Sequence, residues 1–524
     1  MEVLASFPWL ALLPPLVAIT LCFLTKRVLP SLFLGVFAGT LLLTLNPFSA
    51  VADTAIIYRD MISDSWHATI ILFDFVIGGL VGMIYLSGGA HGFANMITSG
   101  VKTARGGQIA GAGMGCAIFF DDYSNTVIVG NALRPVADTL KISKEKFSYI
   151  VDSTAAPVAT IALVSTWVGY EVGVIGDALP STMEINPYSI FLSSIPYRFY
   201  SILAILLVFM VTISSRDFGP MLDAEYRART TGKLMRDGAT PLAGGVKLET
   251  LKEAPKRAIN MIVPVIVLVG VALFGMWWTG GGMEPGKGFI DAISYADSML
   301  ALLWGAVAGT IVAIIMYSVQ RIANLPQMMD AFINGAKMMV MANLVLISAW
   351  SIGAICGKVG TAEFVVNISK GVITPWLLPA LLFAISAFIA FSTGTSWGTM
   401  AIVIPIAIPM GIAFGVPLHL AVAPVLTGSV WGDHCSPISD TTVMSSTFAG
   451  SDHIDHVKTQ LPYALLAGGI AFLMFLLMPI KFESPLMLPI IWIVGAFLLY
   501  FVLRILSNRS MKKRNISISD LRKM

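Results

Sequence analysis

Residues 119–126 read Phe-Phe-Asp-Asp-Tyr-Ser-Asn-Thr, and their two adjacent acids stand out in a strongly apolar chain. Of its 524 residues, 56% are hydrophobic and 12% are charged, with a mean hydropathy of +0.82. Soluble domains carry about 25% charged residues, so this composition is typical of a polytopic membrane protein. A carboxylate at the bilayer centre costs about 2.5–3.5 kcal/mol on insertion scales. The Asp121–Asp122 pair therefore predicts a polar site inside the membrane rather than a packing feature.

A second polar interruption lies at 432–442, where the sequence is Gly-Asp-His-Cys-Ser-Pro-Ile-Ser-Asp-Thr-Thr. Pro437 lacks a backbone donor, so it is expected to break the helix and free carbonyl oxygens. Isolated acids in hydrocarbon are by default ion or proton sites. The two motifs together therefore predict a protein that moves small cations.

Eleven apolar segments are long enough to cross about 30 Å of hydrocarbon. They are 8–24, 28–48, 68–88, 147–167, 189–213, 258–278, 298–319, 338–357, 418–446, 462–480 and 486–506. Two more apolar stretches, 108–130 and 375–415, are interrupted by polar residues. Irregular backbone is tolerated at membrane depth only where it is buried in protein or faces water, so both are predicted to be re-entrant hairpins. The predicted fold class is an all-α polytopic membrane protein with about eleven transmembrane helices and two re-entrant hairpins.

Lysine and arginine are distributed asymmetrically about these segments. With the N-terminus outside, the predicted inner segments hold 26 Lys and Arg residues and the outer segments hold five. The positive-inside rule supports this orientation. It also supports both hairpins, because a full crossing at 108–130 or 375–415 would carry the basic residues that follow to the outer side.

The chain also repeats itself at an offset of 271 residues. Between 82–120 and 353–391, ten of 39 positions are identical without gaps, which exceeds the number expected from composition alone. In the predicted topology 68–88 runs inward and 338–357 runs outward, so the repeats are inverted, as in many secondary transporters. A chance match of two glycine-rich apolar segments is the alternative. The predicted organisation is a first inverted repeat at 1–213 (helices 1–5 and hairpin 1), a cytoplasmic linker loop at 214–257, a second inverted repeat at 258–480 (helices 6–10 and hairpin 2), and a final helix with a basic cytoplasmic tail at 481–524.

The first hairpin offers oxygen ligands of every kind that a hard cation such as Na⁺ prefers. The candidate ligands are Asp121, Asp122, Ser124, Asn125 and Thr126. Two adjacent carboxylates in a low dielectric repel each other, so one is expected to hold a proton that a metal ion could replace. The alternative is a hairpin turn that exposes both acids to cytoplasmic water.

The second hairpin is neutral but rich in hydroxyl groups. Thr393, Thr395 and Ser396 are candidate ligands, and glycines at 394 and 398 permit an unwound turn. Hydroxyl groups in membrane helices often bond only to their own backbone, which is the competing interpretation.

The segment 432–442 contributes further candidates. These are the ion ligands Asp433, Ser436, Asp440 and Thr441, and His434 as a candidate proton relay or, alternatively, a hydrogen-bonded structural residue. Pro157 resembles Pro437 in position, so Asp152 is the candidate counterpart in the first half. Asp74 is a further isolated acid whose role the sequence leaves open.

Several other polar residues are predicted to have no transport role. Loop or anchoring charges are expected at Arg134, Asp138, Glu171 and Asp177, and solvated residues of a short inner loop are expected at His453, Asp455 and His456. The four cysteines have no CxxC spacing, which argues against a zinc site or a disulfide framework.

Three motifs together resemble the NhaC-type sodium/proton antiporter family of the ion-transporter superfamily. They are Phe-Phe-Asp-Asp-Tyr-Ser-Asn at 119–125, Gly-Thr-Ser-Trp-Gly-Thr at 394–399 and the motif at 432–442. The resemblance runs from about residue 20 to 480. It implies a multi-pass carrier of the bacterial inner membrane, with a periplasmic N-terminus and a scaffold and a transport part around two hairpins. Related members are similar to malate/lactate exchangers or amino-acid carriers.

The expected function is Na⁺/H⁺ exchange by alternating access. The transported Na⁺ would bind at Asp121, Asp122, Asp433 and Asp440, with no cofactor and no nucleic-acid partner. The alternative is a Na⁺- or H⁺-coupled transporter of an amino acid or small organic acid. A membrane enzyme with a catalytic metal is disfavoured because no HExxH-like ligand pair is present, and a channel is disfavoured by the inverted repeats. The lipid bilayer is an expected partner, and a homodimer stays open.

Overall fold

The computed structural model describes residues 6–25, 27–241, 250–251, 253–284, 288–369, 373–478 and 486–516. Within these ranges every regular element is a helix. The end of the predicted basic tail and part of the predicted linker, 242–249, lie outside the described residues.

The helices are numbered in chain order. The first half contains α1 (Leu13–Thr25), α2 (Val28–Thr44), α3 (Pro47–Ser63), α4 (Ser65–Leu86), α5 (Gly89–Thr98), α6 (Ala104–Ala117), α7 (Asp122–Thr139), α8 (Lys144–Ser153), α9 (Ala156–Ala159), α10 (Thr166–Ala178), α11 (Pro187–Ser194), α12 (Phe199–Ser214) and α13 (Gly219–Thr231). The second half contains α14 (Ile259–Thr279), α15 (Phe289–Ser294), α16 (Ser298–Val319), α17 (Leu325–Met338), α18 (Val340–Val359), α19 (Thr361–Ser369), α20 (Leu378–Thr393), α21 (Ser396–Phe414), α22 (Leu418–Cys435), α23 (Asp440–Ala449), α24 (His453–Leu477) and α25 (Met487–Arg514). Short 3₁₀ turns precede α1, α12 and α20.

Nine helical segments of the described chain are long and apolar enough to span a membrane, and α2 is a shorter apolar helix. The predicted class, an all-α polytopic membrane protein, is confirmed. The number of full crossings and the re-entry of the two hairpins stay predictions.

Two predicted spans are interrupted rather than continuous. The segment 147–167 contains the end of α8, the four-residue α9 and the start of α10, and the segment 418–446 contains the break between α22 and α23. The break at Pro437 was expected from its missing donor, and Pro157, in the first turn of α9, has the same effect. The continuous span predicted at 147–167 is therefore wrong.

Both predicted hairpins consist of two helices joined by a short break. Residues 118–121 separate α6 from α7, and Gly394 and Thr395 separate α20 from α21. Gly394 has φ of +69°, a left-handed conformation that glycine adopts without steric cost. In each pair the two helices contact each other.

The contacts between the two halves come in exchanged pairs. Helix α2 contacts α18 while α16 contacts α4, α3 contacts α18 while α17 contacts α4, and α7 contacts α23 while α21 contacts α10. A pseudo-two-fold relation between two repeats produces this pattern, because each contact then recurs with the halves interchanged.

The predicted linker loop contains helix α13, which is held by buried polar contacts. Glu225 accepts hydrogen bonds from Gln108 Nε2 at 2.8 Å and from the backbone N–H of Ser143 at 2.9 Å. Just before α13, Asp217 pairs with Lys146 Nζ at 2.5 Å. The first part of the linker is therefore fastened to α6 and α8.

Candidate ion-binding site

Four helices begin around one cavity of about 360 Å³. Its lining includes Asp122 at the start of α7, Trp167 in the first turn of α10, Ser396 at the start of α21 and Asp440 at the start of α23. A helix N-terminus presents free N–H groups and the positive end of the helix dipole. The cavity is therefore a polar site at three breaks that the sequence predicted and at one, before α10, that it did not.

Asp121 caps helix α7. One of its oxygens accepts from the backbone N–H of Ser124 at 2.7 Å and also from the Ser124 hydroxyl, and the other accepts from Thr166 Oγ1 at 2.9 Å. The Asp121 carboxylate thus joins α7 to α10, and it is not among the residues that line the cavity.

Asp122, in contrast, lines the cavity. It is 2% exposed, and its Oδ1 has no hydrogen-bond partner among the described residues. Asp440 lines the same cavity from α23, where it accepts hydrogen bonds from the Tyr123 hydroxyl and from the backbone N–H of Thr441. Two carboxylates from opposite halves of the chain therefore face one space.

Asp433 lies behind this wall, in the last turn of α22. Its Oδ2 accepts a long hydrogen bond from Thr441 Oγ1 at 3.4 Å, and its Oδ1 has no partner among the described residues. Thr441 itself lines the cavity. The structure thus brings Asp122, Asp440 and Thr441 together around the cavity. Asp433 lies next to them, and the Thr441 hydroxyl group stands between its carboxylate and the cavity.

Most of the predicted hydroxyl ligands are engaged by the protein. Thr393 donates to Ile389 O within its own helix at 2.8 Å, and Thr395 caps α21 by accepting from Gly398 N at 3.2 Å. Ser436 donates to Phe391 O at 2.7 Å. These three residues shape the break, while Thr393, Thr395 and Ser396 also line the cavity.

Asn125 and Thr126 bond to backbone carbonyls rather than to the cavity. The Asn125 amide donates to Gly115 O at 2.6 Å, Ile118 O at 2.9 Å and Thr154 O at 2.9 Å. Thr126 donates to Asp122 O at 2.9 Å. Asn125 thereby holds the break between α6 and α7 against α8.

Asp152 and His434 belong to a separate buried cluster. Asp152 accepts from Ser445 at 3.0 Å and from Gln460 Nε2 at 2.5 Å, and its Oδ2 lies 3.6 Å from His434 Nε2 and 3.3 Å from His456 Nε2. His456 is fully buried, so the solvated position predicted for it is wrong. Helix α24 begins at His453, and its first turn directs His456 inward.

One of the predicted loop or anchoring charges has another role. Glu171 is fully buried in α10 and pairs with Arg198 at 2.6 Å, so its prediction as a loop or anchoring charge is wrong. Asp177 pairs with His67 Nε2 at 3.2 Å. Arg134 packs beside Gly450 and is absent from the cavity lining, where Arg27 is the basic residue. Sequence reasoning missed Arg27 and Trp167, because both lie outside the three motifs.

Part of the predicted linker covers the start of α24. Asp452 accepts from the backbone N–H of Thr240 at 2.9 Å, and Asp455 pairs with Arg236 at 2.6 Å. Burial of Asp452 opposes its ionisation and would raise its pKa. The backbone N–H groups of Thr240 and Asp455, which donate hydrogen bonds to it, and the positive charge of Arg236 outweigh this effect. The pKa of Asp452 is therefore lowered. Asp452 is therefore ionised at neutral pH and keeps the segment docked.

The sequence model of the Na⁺/H⁺ antiporter family matches residues 158–480, which include the second hairpin and the segment 432–442. A relative of Haemophilus influenzae, an uncharacterized protein, is 34% identical over 473 residues that cover 88% of each chain. This chain belongs to the Na⁺/H⁺ antiporter family.

Two further proteins are similar to this chain. The malate-2H⁺/Na⁺-lactate antiporter of Bacillus subtilis is 29% identical over 149 residues, which cover 28% of this chain and 31% of that one. The crystal structure of the Alcanivorax borkumensis YdaH transporter has 14% sequence identity and a TM-score of 0.55, covering 89% of this chain and 98% of that one. This second likeness shows a shared fold.

Proposed function

We propose that this protein is a secondary active transporter that exchanges Na⁺ for H⁺ across the bacterial inner membrane by alternating access. The observation that carries the proposal is the cavity lined by Asp122 and Asp440. Asp122 is buried there with an oxygen that no described residue satisfies. A cation or a proton at this carboxylate would supply the missing partner.

Competition for one site would couple the two ions. When Na⁺ binds between Asp122 and Asp440, both carboxylates must be ionised, so the one proton that the pair shares leaves. When Na⁺ departs, two like charges that face one cavity repel each other, and the proton returns. Asp433 would add a negative charge next to the cavity, where its carboxylate accepts a hydrogen bond from Thr441.

His434, Asp152 and His456 would carry protons between the site and the cytoplasm. Asp152 lies within 3.6 Å of both imidazoles, and His434 directly follows Asp433 in the chain. His456 lies in the turn of α24 next to the segment held by Arg236, close to the cytoplasmic surface of the proposed topology. Imidazole is suited to this role because its unperturbed pKa lies near neutrality.

The proposed topology has a periplasmic N-terminus, a cytoplasmic C-terminus and inverted repeats at 1–213 and 258–480, each with one re-entrant hairpin. The excess of Lys and Arg in the inner segments and the exchanged helix contacts support it. The linker 214–257 and the tail would then lie in the cytoplasm. No cofactor is required, because the transported ions are the only reactants.

Reconstituted protein tests the exchange. Proteoliposomes that trap a pH-sensitive dye are given an outward or inward Na⁺ gradient with the membrane potential clamped. Wild-type protein should move H⁺ against Na⁺ in both directions, and Asp122→Asn should not. Asp60→Asn, which removes an exposed carboxylate paired with Arg59, is the matched control and should transport normally. Absence of Na⁺-driven H⁺ movement in wild-type vesicles would contradict the proposal.

Ion-coupled transport of a small carboxylate is the second candidate. Its support is the size of the cavity, about 360 Å³ against a share of about 30 Å³ for one water in the liquid. Arg27 and four helix N-termini surround the cavity, and both attract a carboxylate. Labelled malate, lactate and amino acids accumulated in response to Na⁺ or H⁺ gradients would favour this candidate. Simple Na⁺/H⁺ exchange predicts that none of them is accumulated.

A further inference from the structure

A further carboxylate is buried outside the cavity, on helix α4. Asp74 is fully buried, and neither of its oxygens has a hydrogen-bond partner among the described residues. Ile70, Phe73 and Ile77, its neighbours on the same helix, are also fully buried. Asp74 is not part of the three motifs, and neither the cavity nor the His434 cluster uses it.

An ionised carboxylate in this position would be very unstable. Moving an isolated charge from water into a medium of low dielectric is very unfavourable unless the charge is paired, so such a group tends to become neutral instead. A proton on Asp74 would remove the charge. A neutral carboxyl without hydrogen-bond partners is still unfavourable there, and an apolar residue would avoid this cost.

The surroundings of Asp74 suit a proton rather than Na⁺. A dehydrated hard cation needs several oxygen ligands, whereas no described polar group bonds the Asp74 oxygens. The carboxyl is covered by the backbone of α10 at Gly169, where a Cβ atom would lie only 3.3 Å from Asp74 Oδ1. A proton needs one oxygen only, so Asp74 can hold it without further ligands.

Helix α10 links Asp74 to the cavity. Gly169 lies one turn after Thr166, which donates to the Asp121 cap, and two residues after Trp167, which lines the cavity. Helix α10 therefore contacts both Asp74 and the ion site, and a displacement of α10 would change the surroundings of both.

We propose that Asp74 is a second proton-binding site, which exchanges one proton with water in each transport cycle when α10 moves. The step transfers H⁺ between the Asp74 carboxylate and water, and no other bond changes. The inference rests on the proposed Na⁺/H⁺ exchange and adds one proton to its stoichiometry. It follows that the protein moves one proton more per Na⁺ than its shared site alone would move.

The number of protons per Na⁺ tests this directly. The proteoliposomes have their membrane potential clamped at zero by K⁺ and valinomycin. For each of a series of pH gradients, the Na⁺ gradient that stops net H⁺ flux is measured. The slope of the logarithm of this Na⁺ gradient against the pH gradient gives the number of protons per Na⁺. Asp74→Asn should lower the ratio by one proton per Na⁺, while Asp60→Asn should leave it at the wild-type value. An unchanged ratio in Asp74→Asn would overturn the proposal.

Infrared spectroscopy supplies a readout that does not depend on transport. The C=O stretch of the protonated Asp74 carboxyl should contribute to the carboxyl band of wild-type protein, and this contribution should be missing in Asp74→Asn, even if that variant is inactive. Retention of the whole band in Asp74→Asn would overturn the proposal. Wild-type vesicles without any Na⁺-driven H⁺ movement would instead refute the exchange function, and the infrared band would still decide whether Asp74 holds a proton.

Discussion

At the scale of single residues, Asp121 and Asp122 have different surroundings although they are adjacent. A residue that caps a helix directs its side chain back to the free N–H groups of the first turn. The next residue starts the helix and projects to another side. Asp121 therefore bonds Ser124 and Thr166, and Asp122 faces the cavity.

Asp122→Asn should abolish Na⁺-coupled transport, because the amide can neither bind Na⁺ as an anion nor exchange a proton. Asp121→Asn should retain a substantial part of the flux, since Asn is as good a helix cap as Asp. Uptake of ²²Na⁺ into vesicles, with thermal stability in detergent as the folding control, measures both. Full flux in Asp122→Asn, or equal loss in both folded variants, would contradict this division of roles.

The sequence predicted both acids as ligands but could not distinguish them. Their difference depends on the residue at which α7 begins, and helix ends are set by local hydrogen bonds that the pattern of apolar residues does not reveal. His456 was not predicted as a member of the cluster for a related reason. Its side chain faces Asp152 because α24 begins at His453, and the sequence did not show where that helix begins.

At the scale of elements, the break between α6 and α7 depends on Asn125. Replacing it with Ala removes the amide that donates to three carbonyl oxygens. Each buried group left without a partner costs about 1–3 kcal/mol, so Asn125→Ala should lower the thermal stability markedly. Thr447→Ala, which removes a hydroxyl bonded only to Val443 O in its own helix, is the matched control. Similar melting temperatures for the two variants would contradict this role.

Helices α20 and α22 pack closely through glycines. A Cβ atom at Gly428 would lie 2.5 Å from Phe383 O, and one at Gly432 would lie 2.1 Å from Ala387 O. Small residues let membrane helices approach each other in this way. Gly432→Ala should therefore destabilise the protein by about 1–3 kcal/mol through overpacking. Gly469→Ala, where no atom lies within 4 Å, should not, and thermal unfolding of both variants in detergent checks this expectation.

The breaks themselves were partly predictable. Asp121 and Asp122 in apolar sequence, the polar turn around Gly394, and Pro437 after Asp433 indicated the positions of three of them. The break before α10 was not predicted, because 147–167 is apolar enough to cross the membrane as one helix. The partners of the buried Asp152, such as Ser445 and Gln460, are distant in the sequence, so the sequence alone did not indicate a polar break there.

At the scale of the whole molecule, the two halves have helices in similar order but not in strict register. The cap of α21, Thr395, lies 274 residues after the cap of α7, Asp121, whereas the ungapped match has an offset of 271. Helix α20 extends further toward its break than α6 does. Sequence comparison thus predicted the repeat, and the structure adds the exchanged contacts between halves. The inversion relative to the membrane stays a prediction.

The proposed topology can be checked from either side of the membrane. Single cysteines are placed at exposed Asp64 before α4 and at exposed Asp237 in the linker. A membrane-impermeant maleimide should react with the first from the periplasm and with the second from the cytoplasm. The linker is expected on the cytoplasmic side because it carries nine Lys and Arg residues between 214 and 257. The native cysteines are first replaced to remove their background. Labelling of both positions from the same side would contradict inverted repeats joined by a cytoplasmic linker.

The central claim is that Na⁺ and H⁺ compete for the carboxylates that face one cavity. It is tested most directly by the Na⁺ concentration that half-saturates transport, measured in sealed vesicles at several pH values between about 6 and 9, a window around the titration expected of buried acids. The account predicts that this concentration rises steadily as the pH falls, because protons occupy Asp122 and Asp440 and must leave before Na⁺ binds. A half-saturating Na⁺ concentration that is the same at every pH would contradict it.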